Sequence, residues 1–128
     1  MPISSIIKEK QQAKFLIKSL VKKLRKTPIL DLIYRGSKDG WSAEDDFHRL
    51  CDGKGPTLTI IKVKETGKIC GGYTSVSWSN PSDAGCKPDI DAYVFSVDAQ
   101  TIYHTHNPSQ AVWHSSSHGP WFSGTLGI

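Results

Sequence analysis

Two runs rich in β-branched residues, separated by a short link that contains glycine, constrain the fold of this chain more than any other feature. The runs occupy residues 57–64 and 69–78, and the link is Glu65-Thr66-Gly67-Lys68. β-branched side chains suit a pleated sheet, and a short glycine-containing link lets the chain reverse on itself. The pattern predicts a β-hairpin, and Gly71-Gly72 in its second strand predicts a bulge or a close approach of another backbone.

The rest of the chain after Pro28 has the same texture of short apolar runs broken by glycine and proline. A helix is predicted to begin at the capping pattern Ser42-Ala43-Glu44-Asp45 and to end at Asp52-Gly53. The other predicted segments are a strand at 29–35, a turn at 36–40, a loop at 80–89, a largely buried strand at 91–97 and a short strand around 111–113. The chain length allows one modest core. The predicted strands and the short helix together predict an α+β, mainly β domain.

The first 26 residues differ from the rest in charge and periodicity. They carry eight Lys or Arg against the single acid Glu9, a net charge of +7, whereas the remainder carries eight bases and eleven acids, a net charge of −3. Apolar residues at steps of three and four predict an amphipathic helix. They are Ile3, Ile6, Ile7, Ala13, Phe15, Leu16, Ile17, Leu20, Val21 and Leu24. Because Pro28 disfavours helical geometry in the residue before it, the helix is expected to end near Lys26 or Thr27.

This division predicts a basic amphipathic helix at residues 1–27 and a domain at residues 28–128. Three roles are compatible with the helix. Its apolar stripe can pack on its own domain, or on a partner helix as a short coiled coil, with the lysines solvated. The helix can dock on an anionic membrane surface, although no Trp lies on its apolar face. It can bind nucleic acid, but the charge comes without a groove-reading motif and the body of the chain is mildly acidic.

Neither a membrane span nor a secretory signal is visible in the sequence, which predicts a cytosolic protein. The three cysteines, Cys51, Cys70 and Cys86, are odd in number and widely spaced, which argues against a disulfide framework or a zinc knuckle. We expect idle reduced thiols. The alternative is a redox-active cysteine, whose pKa a nearby cation or helix N-terminus would have to lower.

Four histidines within fifteen residues are the main candidate metal ligands: His104, His106, His114 and His118. Their His-x-His and His-x-x-x-His spacings can ligate a metal ion. The segment is predicted to be loop, strand and loop, so helical spacing does not apply, and Asp98 is the nearest acid. We therefore predict surface or hydrogen-bonding histidines and no metal site.

A nucleophile, a base and an orienting acid can be assembled on paper from Ser37, Asp39 and His48 with Glu44. No strained turn presents Ser37, and residues 36–40 fit an ordinary turn with Asp39-Gly40 at its tip. We predict that His48 is a hydrogen-bonding residue on a short helix and that there is no catalytic triad.

Two further sets of residues favour structural roles. Gly71-Gly72 and Gly53-Lys54-Gly55 lack the spacing and the strand-loop-helix context of a phosphate-binding loop. The tryptophans lie beside predicted element ends, which favours packing in the core and at sheet edges over a ligand cage. They are Trp41, Trp78, Trp113 and Trp121.

Six motifs follow one another along residues 32–122: LIYRGSKDG (32–40), DFHRLCDGKGPTLTIIK (46–62), GKICGGYTS (67–75), Trp78, DAYVFS (91–96) and GPWF (119–122). Together they closely resemble a TLDc domain, the module of the oxidation-resistance proteins and of several membrane-traffic proteins. The resemblance implies a two-layer sandwich of antiparallel sheets flanked by short helices, in agreement with the strands predicted above. It also implies protection against oxidative damage, by a route that is not an established enzymatic one, and binding to the vacuolar proton-pumping ATPase.

The chain departs from the family pattern after the last motif. The family continues through a glycine-rich segment into further strands, whereas here residues 123–128 follow. We therefore expect a domain that is incomplete at its C-terminal end, with unpaired sheet edges. Two explanations are compatible with this departure: a second chain completes the sandwich, or the chain is a truncated product. We favour truncation.

The sequence thus predicts a non-catalytic protein-interaction domain of the TLDc type, linked by resemblance to oxidative-stress resistance and to the vacuolar ATPase. It predicts no catalytic residue, no metal ligand and no cofactor, and it identifies no binding surface. The predicted partner is a protein such as an ATPase subunit and not nucleic acid, with peripheral membrane contact through the basic helix as a further role. The alternatives are a cysteine-dependent antioxidant activity through Cys51, Cys70 or Cys86, and a fragment without independent function.

Overall fold

A helix and two antiparallel sheets form successive layers in the computed structural model, which describes residues 5–82, 84–123 and 126–127. The strands are β1 (Thr57–Lys62), β2 (Ile69–Thr74), β3 (Gly85–Lys87), β4 (Tyr93–Ser96), β5 (Thr101–His104), β6 (Val112–His114), β7 (Trp121–Phe122) and β8 (Leu126–Gly127). The helices are α1 (Lys10–Leu24), α2 (Gly36–Asp39) and α3 (His48–Cys51), with a π-helical turn at Ala43–Phe47 and a 3-10 turn at Pro108–Gln110. The sheets have the strand orders β1-β2-β4-β5 and β3-β6-β7-β8. The predicted mainly β, α+β fold with two antiparallel sheets is confirmed.

The predicted hairpin is the pair β1 and β2. Their register pairs every residue of one strand with a residue of the other, so neither strand contains a bulge. The two glycines of β2 mark close approaches instead. A Cβ atom on Gly71 would overlap the carbonyl oxygen of Thr59, and one on Gly72 would lie 2.5 Å from the ring of Phe122. The predicted close approach of another backbone is therefore correct for Gly71, whereas the group close to Gly72 is a side chain.

Helix α1 covers the face of the first sheet that carries Tyr93 and Phe95. Leu16 and Leu20 are buried against this face. The hydroxyl groups of Ser19 and Tyr93 are 2.9 Å apart, which gives a buried polar link between the helix and the sheet. The apolar stripe of the helix therefore packs on its own domain, the first of the three roles compatible with the sequence.

The ends of α1 differ in how well the sequence predicts them. The C-terminal cap is Arg25, with φ 57°, close to the end that Pro28 predicts. The helix begins at Lys10 because Glu9 before it is extended, so it starts later than the apolar periodicity indicates. Ile3, the first residue of that periodicity, lies outside the described residues. In the described part of the chain, α1 and the other helices are all too short or too polar to cross a membrane.

A second core lies between the other face of the first sheet and the second sheet. Trp78 is 1% exposed, and its ring meets those of Phe47 and Phe122 edge-on, with centroids 5.9 and 5.8 Å apart. Val94 of β4 packs into this cluster from the first sheet. Phe122 also lies directly over Gly72 of β2, where a larger residue would keep the sheets apart.

Several local predictions are wrong. Residues 29–35, all within the described ranges, form no strand, and Ile29 and Leu32 are 91% and 64% exposed. The segment 80–89, predicted as a loop, contains β3, which pairs with β6. Strand β5 was not predicted and pairs with β4, and the turn predicted at 36–40 contains α2. Pairing with a neighbouring strand stabilises short strands of this kind, and their composition alone gives only a weak signal of strand structure.

The helix predicted to begin at Ser42 is present as the π-helical turn followed by α3. The hydroxyl of Ser42 accepts a hydrogen bond from the N–H of Asp45 at 3.1 Å, as the capping pattern predicts. The return bond comes one residue later, because Oδ2 of Asp46 accepts from the N–H of Ser42 at 3.0 Å. The wider turn of a π-helix accounts for this extra residue.

Candidate functional site

An open cleft lies beside β5, the outer strand of the first sheet. Its volume is about 270 Å³, and it runs between β4 and β5 on one side and the 3-10 turn and β7 on the other. We call it the β5 cleft. Its lining includes aliphatic, aromatic, imidazole and amide groups: Val94, Tyr103, His104, His106, Gln110 and Phe122.

The β5 cleft lies beside strand β5, which is at the edge of its sheet. This strand pairs with β4, and it is the last strand in the order of its sheet. Its other edge therefore has no strand partner within the residues that the structure describes. Tyr103, opposite Val94 in the register, is 51% exposed at the mouth of the cleft. A free strand edge next to an aromatic-lined cleft is the geometry that accepts an extended peptide segment.

The size and lining of the β5 cleft fit a protein partner better than a small substrate. Pockets that enclose small ligands usually measure from about 300 to about 1,000 Å³, and this cleft falls just below that range and is open. Tyr is enriched at protein interfaces. Sequence reasoning missed the site because its framing strand, β5, was itself not predicted.

His48 is committed to structural hydrogen bonds. Its Nδ1 lies 2.7 Å from Oδ1 of Asp52, and its Nε2 lies 2.7 and 2.8 Å from the carbonyl oxygens of Ser115 and His118. A carbonyl oxygen only accepts, so Nε2 carries a proton and donates. His48 therefore ties α3 to the 115–118 turn, and its ring has no nitrogen left to serve Ser37 as a base.

The other members of the hypothetical triad also have local roles. Oδ2 of Asp39 accepts a hydrogen bond from the N–H of Arg35 at 2.8 Å, which holds the start of α2. Ser37 and Glu44 are exposed. In Gly53-Lys54-Gly55, the N–H of Gly55 donates a hydrogen bond to the hydroxyl of Ser77 at 2.8 Å. These bonds stabilise turns, and the hydrogen bonds among the described residues do not connect Ser37, Asp39, Glu44 and His48 to one another.

The four clustered histidines do not converge. His104 and His106 line the β5 cleft, whereas His114 is 1% exposed and hydrogen bonds through Nδ1 to the hydroxyl of Ser79 at 2.7 Å. Burial, followed by the charge of Lys87, lowers the pKa of His114 to about 4, so the ring is neutral near neutral pH. The described residues contain no group of three or more His, Cys, Asp or Glu side chains placed to hold a metal ion.

The three cysteines lie in different environments. Cys51 is buried, and burial, with a smaller contribution from the Asp52 carboxylate, raises the pKa of its thiol to about 12. Burial, followed by the charge of Asp98, also raises the pKa of Cys70. Cys86 is exposed on the edge strand β3. A raised pKa removes the thiolate that nucleophilic cysteine chemistry needs, so Cys51 and Cys70 are poor candidates for it.

The tryptophans divide between core and surface. Trp78 is at the centre of the second core, as predicted, and Trp113 and Trp121 are half-buried. Trp41 is 73% exposed, so the prediction of core packing is wrong for this residue. Its ring lies next to Gly36, where an added Cβ atom would overlap it. A larger residue at position 36 would therefore require this side chain to move.

Asp89 is a buried carboxylate that the sequence analysis did not single out. It accepts four hydrogen bonds, from the hydroxyl groups of Thr74 and Ser75 and from the N–H groups of Ser75 and Asp91, at 2.6 to 3.0 Å. Burial alone would raise the pKa of this carboxyl group, but the four hydrogen bonds together hold the pKa below its ordinary value. The only signal in the sequence is an Asp in a proline-containing loop, a common turn residue.

The substitution Asp89→Asn is expected to lower the free energy of unfolding at neutral pH by about 1–3 kcal/mol, because an amide NH2 group would face donors. A lowered pKa stabilises the fold above the ordinary pKa of about 4, and that contribution is lost as the pH falls through the lower value of the folded state. The variant should therefore lose less stability than the natural chain as the pH falls below about 4. Urea unfolding across this range, with the exposed Asp31→Asn as control, measures both effects; parallel pH curves would contradict the prediction.

Comparisons with known proteins identify one family. The family model of the TLDc domain matches residues 1–127, so the match includes α1 as well as both sheets. Comparison with curated proteins finds no match to this chain. Comparison with solved structures finds none either.

Proposed function

Because this chain belongs to the TLDc domain family, we propose that it is a non-catalytic protein-interaction domain that acts in the cytosol in resistance to oxidative stress. Its proposed partner is the vacuolar proton-pumping ATPase. The β5 cleft, with the free edge of β5, is the proposed contact surface.

The observation that carries this proposal is the β5 cleft itself. It combines a strand edge that has no strand partner among the described residues with an aromatic side chain, Tyr103, that is 51% exposed. Main-chain hydrogen bonds to such an edge provide affinity, and the neighbouring cleft provides selectivity for side chains of the partner. Exposed aromatic residues that become buried on binding are common hot spots of protein interfaces.

The environments of the reactive side chains support a non-catalytic role. Both ring nitrogens of His48 are engaged by Asp52 and by backbone carbonyl groups. Burial raises the pKa of Cys51 to about 12. A base without a free nitrogen and a thiol without a thiolate are poorly suited to acid-base or nucleophilic catalysis.

The binding proposal is tested with the immobilised chain and purified vacuolar ATPase. The natural chain is expected to retain the ATPase, and Tyr103→Ala is expected to weaken binding about tenfold or more. Trp41→Ala is the matched control, because it also removes an exposed aromatic ring, but one on the α2 side of the fold. Failure of the natural chain to bind would overturn the proposed partner. Equal losses in the two variants would overturn the proposed surface.

The second candidate function is a cysteine-dependent antioxidant activity. The one observation that favours it is the exposure of Cys86 to solvent. A thiolate that attacks hydrogen peroxide would become a sulfenic acid and release hydroxide, which takes up a proton from the solvent to form water. We expect the natural chain to consume hydrogen peroxide no faster than the variant in which Cys51, Cys70 and Cys86 are all replaced by serine. Consumption that the triple variant loses would establish the antioxidant activity and contradict the non-catalytic role.

A further inference from the structure

Four lysines form a continuous charged stripe on the outer surface of α1: Lys10, Lys14, Lys18 and Lys22. All four are exposed. Residues four apart are neighbours on one face of a helix, so the ammonium groups lie in a row. We call this row the basic stripe. The ion pairs among the described residues join His48 to Asp52 and Arg49 to Asp46, so the basic stripe has no acidic partner among these residues.

The packing of α1 fixes the direction of the basic stripe. Leu16 and Leu20 are buried against the first sheet, so the opposite side of the helix faces solvent. Repeated like charges four residues apart destabilise a helix. The stripe therefore weakens the element that carries it, unless something anionic lies against it.

Apolar side chains are exposed immediately beyond the end of the helix. Ile29 and Leu32 are 91% and 64% exposed, in a segment without regular structure. Ile29 lies four residues beyond Arg25, which is about 14 Å of fully extended chain at most. Cationic groups are thus accompanied by apolar groups that the fold does not bury.

The kind of cation indicates the kind of partner. The segment 1–26 contains seven lysines and a single arginine. Protein interfaces are enriched in arginine and depleted of lysine, and bidentate recognition of phosphate favours arginine. A row of lysines is instead suited to diffuse attraction by a charged surface, as in polybasic segments next to anionic lipids.

The charge of the rest of the chain supports the same partner. Residues 1–26 have a net charge of +7, and the remainder has a net charge of −3. An anionic surface would attract the helix and repel the body, which would orient the domain with α1 towards the surface.

We propose that the basic stripe of α1 holds this domain on anionic phospholipid bilayers, with Ile29 and Leu32 adding apolar contact. The apolar residues proposed to enter the bilayer lie outside the helix, because Leu16 and Leu20 of the helix are buried against the first sheet. The basic stripe lies on α1, on the opposite side of the first sheet from the second sheet, and the proposal does not depend on binding to the ATPase.

The test is sedimentation of the full chain with phosphatidylcholine vesicles that contain or lack phosphatidylserine. We expect the chain to sediment only with the phosphatidylserine vesicles and to be released by high salt. The pair Lys14→Gln with Lys18→Gln should weaken binding about thirtyfold, since each lysine near such a surface contributes about fivefold. The matched control is Lys62→Gln with Lys64→Gln, which removes the same charge from exposed lysines of the body and should leave binding nearly unchanged.

Three outcomes would overturn the proposal. The first is equal sedimentation with neutral vesicles, or none with either kind. The second is an equal loss of vesicle affinity in the two double lysine variants, which would mean that net charge, and not the position of the lysines, determines binding. The third is tighter binding to duplex DNA or to an acidic protein than to the vesicles, which would assign the stripe to that partner. The pair Ile29→Ser with Leu32→Ser should weaken vesicle binding at low salt, and no change would contradict the apolar contact.

Discussion

Replacing Trp78 with alanine is expected to lower the free energy of unfolding by about 3–5 kcal/mol. The indole ring is 1% exposed and packs against Phe47, His114 and Phe122, with centroid distances of 5.2 to 5.9 Å. Its Nε1–H also donates to the hydroxyl of Thr57 at 2.9 Å, which links the core to β1. A small domain is stable by about 5–15 kcal/mol, so the loss would remove a large part of the total.

The measurement is urea unfolding followed by circular dichroism, because replacing tryptophan alters the fluorescence signal. Trp41→Ala is the control, since Trp41 is 73% exposed and its loss should change stability by about 0.5 kcal/mol or less. Equal destabilisation by the two changes would mean that Trp78 is not central to the core. A natural chain that unfolds without a cooperative transition would instead favour the alternative of a fragment without independent function.

Replacing Gly71 with alanine is expected to destabilise the protein by about 3 kcal/mol, the upper part of the range for added atoms in a packed core. The new Cβ atom would overlap the carbonyl oxygen of Thr59 and would lie 2.6 Å from the ring of Phe95. The ring can turn, but the carbonyl group can move only if β1 separates from β2. The substitution therefore acts on the central hairpin of the first sheet.

Gly85→Ala is the matched control for this substitution. Gly85 also lies in a strand, and no atom lies within 4 Å of the position where its Cβ would be. Alanine there should be neutral, or stabilising by about 0.5 kcal/mol, because it restricts the unfolded chain. Chemical denaturation of the two variants compares them directly. A Gly71→Ala protein as stable as Gly85→Ala would mean that the hairpin does not have the close approach described here.

The two proposed surfaces belong to different layers of the fold. The basic stripe lies on α1, which covers one face of the first sheet, and the β5 cleft opens towards the second sheet on the other face. A domain held on a membrane through α1 would therefore leave the β5 cleft accessible. The two binding experiments are independent for the same reason, since Tyr103 and the lysines of the stripe are not shared.

Local sequence patterns determined the elements whose stability comes from near neighbours. The hairpin of β1 and β2 follows from β-branched runs on either side of a short link, and its strands pair across that link. The end of α1 follows from Pro28, and the start of the short helix follows from the side chain of Ser42. The ordered motifs likewise indicated the TLDc family, which the family match over residues 1–127 shows.

Tertiary structure decided what depends on distant partners. The apolar run at 29–35 has the composition of a strand but no neighbour to pair with in the described structure, whereas β3 and β5 are weak in composition and exist because β6 and β4 lie beside them. The β5 cleft follows from β5, so the sequence could not indicate it. The two carbonyl groups that accept a hydrogen bond from His48 lie 67 and 70 residues further along the chain. Spacing along the chain carries no information about such contacts, because the packing of the sheets alone brings them together.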